Sequence, residues 1–193
     1  MGELILVTHG ETDNDKAGNL SSGGRFQALV LAEQLCSREI GIVYTSPLRR
    51  CVQTAEPIGE RLRCKVEIRE DLLGADGGSL GQKRGAYSEF RWVTGGEYSG
   101  QVGAESLISV QRRLVGLVYG VFALQPTGVV VMVTHTLCVR LMVCWFCGMA
   151  LEMQLRLRVD PGSLSELKIF EDSAMLQSLN CHFEVLVARE SGG

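Results

Sequence analysis

Leu4-Ile5-Leu6-Val7-Thr8-His9-Gly10-Glu11-Thr12 opens the chain with an apolar run that stops at Thr-His-Gly and turns polar through Asp13, Asn14 and Asp15. Such a run predicts a buried strand. A histidine just past the carboxyl end of a parallel strand stands where open α/β sheets place their ligands. A second stretch, Val129-Val130-Val131-Met132-Val133-Thr134-His135-Thr136, repeats the plan. The chain has three histidines, and two of them end β-branched or apolar runs. Two such strands side by side bring two imidazoles to one crevice, as nucleophile, base or ligand.

The 193 residues suffice for one domain with a good-sized core, with room for a lid insertion. Hydrophobic residues at 46% and charged residues at 21% are those of an ordinary globular chain. The net charge of -3, without a basic stripe, points away from nucleic acid as a partner. Met1-Gly2-Glu3 lacks the basic start of a signal peptide, and the apolar segment 139–150 is too short for a bilayer and carries Arg140. The expectation is a cytoplasmic protein with no membrane partner. The seven cysteines, an odd number set mostly in apolar patterns, read as reduced core thiols. Cys144-Trp145-Phe146-Cys147 has no second pair to complete a zinc site and reads as core packing.

Period and punctuation predict strand 3–8, a break at Gly23-Gly24, and a helix over 25–37 with Phe26, Leu29, Val30, Ala32 and Leu35 on its apolar side. A strand at 42–44 follows, then a helix to Leu62 with Ser46 as N-cap and Pro47 as first helical residue. Lys65 to Arg69 alternates as a strand. Glu70 to Gly103 is dense in glycine, with Tyr87, Phe90, Trp92 and Tyr98 interspersed. This stretch is too long for an ordinary connection and reads equally as a lid or substrate loop over 70–103 or as a mobile excursion with a short helix near 83–92. A long helix spans 105–124, a strand 128–134 and a helix 136–148. Asp160-Pro161-Gly162 separates two alternating runs, 155–159 and 163–170, which predicts a hairpin, with a last strand within 175–187. Alternating strands and helices predict an α/β three-layer sandwich, a mostly parallel central sheet covered on both faces.

Four segments resemble one family. Thr8-His9-Gly10-Glu11-Thr12 is similar to the Arg-His-Gly-Glu-Thr signature of the histidine phosphatase (phosphoglycerate mutase-like) superfamily. Ser46-Pro47-Leu48-Arg49-Arg50-Cys51-Val52-Gln53-Thr54-Ala55 resembles its Ser-x-Leu-x-Arg-Ala-x-Gln-Thr-Ala helix. Gly103-Ala104-Glu105-Ser106 resembles its Gly-Glu-Ser segment, with Arg113 at the later arginine. Val133-Thr134-His135-Thr136 resembles its second histidine motif, and Arg140 falls where that helix often has arginine. Order and spacing agree over residues 3 to 148.

The resemblance implies a fold and a chemistry. His9 becomes a phosphohistidine by in-line attack, Arg50 and His135 hold the equatorial oxygens, and Glu105 protonates the leaving oxygen and then activates water. Thr8, Asn14 and Thr136 join Arg50 around the substrate, a small phosphorylated metabolite. No metal or other cofactor is implied. The oligomeric state stays open, a homodimer included.

The sequence departs from the family at four points. Thr8 stands where the family has a bidentate phosphate clamp, and losing one preorganised donor typically costs about 100- to 1000-fold in rate. The loop after His9 is short. Asp71-Leu72-Leu73-Gly74 lacks the family's glutamate, and Thr136 replaces a glycine. Three readings follow in order: a phosphomonoesterase with a substitute cation (Arg25, Arg49 or Arg84); an enzyme turned to a non-phosphate substrate, with His9, His135 and Glu105 as acid/base groups; and a non-catalytic binding homologue. A mutase ranks last, because the family's mutases usually carry longer lids. His182 reads as structural or exposed.

Overall fold

The computed structural model describes residues 2–13, 18–74, 105–125, 127–171 and 173–183. Asn14, Arg84, the helix expected near 83–92 and all of the 70–103 segment beyond Gly74 lie outside the described residues. The elements are β1 Gly2–Thr8, α1 Ser22–Leu35, β2 Ile40–Thr45, α2 Arg49–Leu62, β3 Lys65–Ile68 and a 3-10 turn Glu70–Leu72. There follow α3 Leu107–Leu124, β4 Val129–Thr134, α4 Thr136–Phe146, a 3-10 helix Leu151–Arg156, β5 Leu164–Ile169 and β6 Ala174–Cys181.

The sheet runs β3-β2-β4-β1-β5-β6. The first four strands are parallel, and β5 and β6 continue the sheet antiparallel from β1. Strand alternation sorts the core into two layers. Leu4, Leu6, Val130 and Met132 face α3 and α4, with Val110, Leu114, Val118, Val139 and Met142. Ile5, Val7, Val131 and Val133 face α1 and α2, with Leu31, Leu35, Ala55 and Ile58. Strands buried on both faces account for the unbroken apolar runs in the sequence. The α/β fold with its sheet between helical layers is the architecture expected.

Local readings needed three corrections. Gly23 and Gly24 lie inside α1, whose N-cap is Ser21, its side chain accepting from the Gly24 amide. Gly24 is there because the His9 loop presses on the helix: a Cβ at Gly24 would land on the Glu11 backbone. Gly24→Ala should therefore destabilise the protein by about 1–3 kcal/mol in urea unfolding. The better helix propensity of alanine, about 1 kcal/mol, is too small to offset a clash with main chain. On the same helix Phe26 and Leu29 are exposed, while Ala28 and Leu31 are buried in their place, so the apolar stripe is rotated.

The second correction concerns the hairpin. Residues 151–156 form a 3-10 helix, and the 163–170 run pairs with β1 on one side and β6 on the other. The hairpin is β5–β6. The third concerns α2, which starts at Arg49 rather than Pro47; Ser46 has another use.

Candidate active site

β1, β2 and β4 are neighbours, and their last residues are Thr8, Thr45 and Thr134. His9, Ser46 and His135 each follow directly. The carboxyl edge of three parallel strands thus delivers two imidazoles and a hydroxyl to one place, which the register Thr8↔Thr134 and Thr45↔Val133 enforces. The ring centroids of His9 and His135 are 5.4 Å apart, edge to face.

His9 is held by its backbone from two sides. Its amide donates to the Thr134 carbonyl at 3.0 Å, and its carbonyl accepts from the Gly162 amide at 2.9 Å. Gly162 has φ +69, a left-handed conformation that the Pro161-Gly162 turn needs and that glycine adopts without strain. The ring Nδ1 lies 2.8 Å from the Gly10 carbonyl. A carbonyl only accepts, so Nδ1 carries the hydrogen and the lone pair of the neutral ring is on Nε2. The Gly10 amide in turn donates to Thr54 Oγ1 at 3.1 Å, which ties the loop to α2.

Arg50 sits in the first turn of α2, and one of its terminal nitrogens lies 3.3 Å from His135 Nδ1. The loop across from it comes close: a Cβ on Gly18 would be 3.4 Å from the Arg50 guanidinium. His135 is buried and is the N-cap residue of α4, with Thr136 half-buried at the first helical position. The first intrahelical bond of α4 is Val139 N–H to His135 O, so the amides before it face the same edge with the positive end of the helix dipole.

Glu105 is paired with Arg113. Its two oxygens take Nε and a terminal nitrogen of Arg113, both at 2.8 Å. Arg113 also donates to the carbonyls of Asp71, at 2.6 Å, and Gly74, at 3.1 Å. A Cβ on Gly74 would be 3.6 Å from the His135 ring, so this clamp connects Glu105 to the second histidine's surroundings. Burial works against the charge on Arg113, yet the hydrogen bond and charge of Glu105 hold its guanidinium above the ordinary arginine range.

Thr8 lies at this edge but is wholly buried, its Oγ1 3.4 Å from Ser163 Oγ. Of the cations considered as replacements, Arg25 donates to the Leu20 carbonyl at 2.7 Å, and Arg49 is exposed. His182 is exposed, 3.5 Å from Asp160. Among the described residues, no three His, Cys, Asp or Glu side chains cluster as a metal site.

Sequence reasoning missed two residues. Ser46 is fully buried, with Oγ 2.9 Å from His135 Nε2. Cys51 is fully buried too, its sulfur 3.6 Å from the Thr134 carbonyl and 3.7 Å from His135 Nε2. Burial pushes the Cys51 thiol up to about 12 despite the Arg50 charge nearby, so it stays protonated at neutral pH.

The family model for the histidine phosphatase superfamily (branch 1) matches residues 4–182. Phosphoserine phosphatase 1 of Hydrogenobacter thermophilus is 32% identical over 200 aligned positions, covering 94% of each chain. Glucosyl-3-phosphoglycerate phosphatase of Mycobacterium tuberculosis is 35% identical over 83 positions, 37% of each chain. Among solved structures, the Entamoeba histolytica phosphoserine phosphatase in complex with 3-phosphoglyceric acid superposes with a TM-score of 0.80 at 20% identity, covering 94% of this chain and 98% of that one. The likeness to that structure establishes the fold.

Proposed function

The chain belongs to the histidine phosphatase superfamily, and on that footing we propose that it is a hydrolase of small phosphate monoesters that works through a phosphohistidine on His9. One observation carries the proposal: the Gly10 carbonyl fixes the His9 hydrogen on Nδ1 and so puts the lone pair of the neutral ring on Nε2, beside His135 and Arg50. A nucleophile, a cation and a polar second imidazole at one sheet edge suit in-line attack on phosphorus. His9 Nε2 forms the N–P bond as the ester O–P bond breaks. Water then breaks the N–P bond and releases phosphate. Thr136 and the first amides of α4 add donors to the oxyanion side. The reaction needs no cofactor. The 70–103 segment of a single domain, 1–193, sets the substrate, and Asn14 joins the substrate-binding residues.

Glu105 has two tasks in this scheme: it protonates the leaving oxygen and then takes a proton from the attacking water, and the Arg113 fork holds its two oxygens in place for both. Glu105→Gln should slow an alkyl phosphate by about 100-fold or more, and an aryl phosphate, whose leaving group needs no proton, much less. Steady-state kinetics on the two esters check this. Equal losses on both would confine Glu105 to the water step.

A second reading, a binding or non-phosphate homologue, draws on Thr8. A side chain turned onto Ser163 gives an anion no help. Absence of both aryl phosphate turnover and stabilisation by vanadate would leave that reading in place.

A further inference from the structure

The hydrogen bonds around His135 assign its tautomer. Arg50 has only donors, so at 3.3 Å it donates to His135 Nδ1, which must present its lone pair. The neutral ring then carries its hydrogen on Nε2, where Ser46 Oγ stands 2.9 Å away as acceptor. The same oxygen receives the Leu48 amide at 3.4 Å. The Ser46 hydroxyl hydrogen is left for the Cys51 sulfur, and the Cys51 thiol hydrogen points to the Thr134 carbonyl at 3.6 Å. Every hydrogen in this chain has a taker. The two histidines therefore hold opposite tautomers, His9 with Nδ1–H and His135 with Nε2–H.

We propose that Ser46 is a positioning residue: by accepting the Nε2–H of His135 it fixes that ring's tautomer and turns Nδ1 toward Arg50, whose guanidinium is thereby held in place for the phosphoryl group. Ser46 is wholly buried at the end of β2, and its amide is bonded to the Val133 carbonyl at 3.0 Å, so the hydroxyl has little freedom to move. Its place at the head of α2 looks like a helix cap, yet α2 has no side-chain cap, and the hydroxyl serves the imidazole instead. Cys51 closes the relay. It supplies a small, protonated acceptor at a position where the family motif has alanine, a residue that offers the Ser46 hydroxyl no partner.

The consequence for the reaction rests on the phosphatase reading; the tautomer itself does not. The direct test is a long-range nitrogen–proton correlation spectrum of the uniformly labelled full chain at mildly alkaline pH. With three histidines, His9→Ala and His182→Gln assign the spectrum. In the wild type, His135 should show a protonated Nε2 and a bare Nδ1, and His9 the reverse. In Ser46→Ala, His135 should lose its single-tautomer signature, and kcat on an aryl phosphate should fall roughly tenfold with little change in KM. Ser46→Thr, which keeps the hydroxyl, should restore both. A wild-type His135 with its hydrogen on Nδ1 overturns the proposal, as does an unchanged His135 signature in folded Ser46→Ala. The expected spectra together with no phosphatase activity would uphold Ser46 and overturn the reaction assigned to the site.

Discussion

His9→Ala is expected to lower phosphate ester hydrolysis by about 10,000-fold or more, the scale seen when a catalytic nucleophile is removed. The loss should be chemical rather than structural. The backbone of residue 9 is held by the Thr134 carbonyl and the Gly162 amide, and alanine keeps both bonds. The ring is half-buried, and its described contacts are the edge of His135 and the Gly10 carbonyl, not the apolar layers. The melting temperature should therefore stay close to that of the wild type. A quench in alkaline detergent during turnover, which spares the acid-labile N–P bond, should trap labelled phosphoprotein in the wild type and none in the variant. A variant that retains activity would remove His9 as nucleophile, and with it the proposed reaction.

Thr8→Arg carries the second large effect. The resemblance to the family invites the idea that arginine here restores a missing clamp. The structure argues that it first costs stability. Thr8 is wholly buried and faces Ser163, itself wholly buried and donating from its own hydroxyl to the Asp160 carbonyl at 2.7 Å. An arginine must displace this pair and place a charge that no carboxylate among the described residues is shown to answer. Overpacking alone costs about 1–3 kcal/mol, and an uncompensated buried charge raises that to about 3–5 kcal/mol. A bound oxyanion supplies the missing partner. The expected pattern is a lower melting temperature without ligand and a larger stabilisation by vanadate than the wild type shows. Thermal melts of both proteins, with and without vanadate, check it. An unliganded variant as stable as the wild type would show that the arginine reaches solvent. A vanadate shift no larger than the wild type's would show that it does not reach the site.

The strands carrying His9 and His135 were legible because both faces of each are buried, which leaves a continuous apolar run with a polar stop. The pairing of Arg113 with Glu105 was not, since an eight-residue separation across a helix start carries no periodic signal. Ser46 was misread for a physical reason: a serine before a helix is normally a cap, and only the strand order, which brings β2 against β4, reveals the imidazole it bonds. The 155–159 alternation was real but too short to outweigh the β1 edge, where Leu164, Leu167 and Ile169 are all buried. Gly24 was misread as punctuation because the backbone it accommodates comes from the other side of a loop.

The place of β4 in the sheet also governs how the chain can be made. It lies between β1 and β2, yet it is translated more than a hundred residues after β1. At about 5–20 residues per second, β1 waits on the order of ten seconds for the strand that covers one edge, and β5, which covers the other, comes later still. Until then Leu4, Ile5, Leu6 and Val7 form a sticky segment without native partners. Contacts this distant in sequence close slowly, because the loop entropy must be met before any pairing rewards it. Assembly of the reactive edge is thus a late event on the ribosome, and the nascent chain is a natural client for chaperones through most of its synthesis.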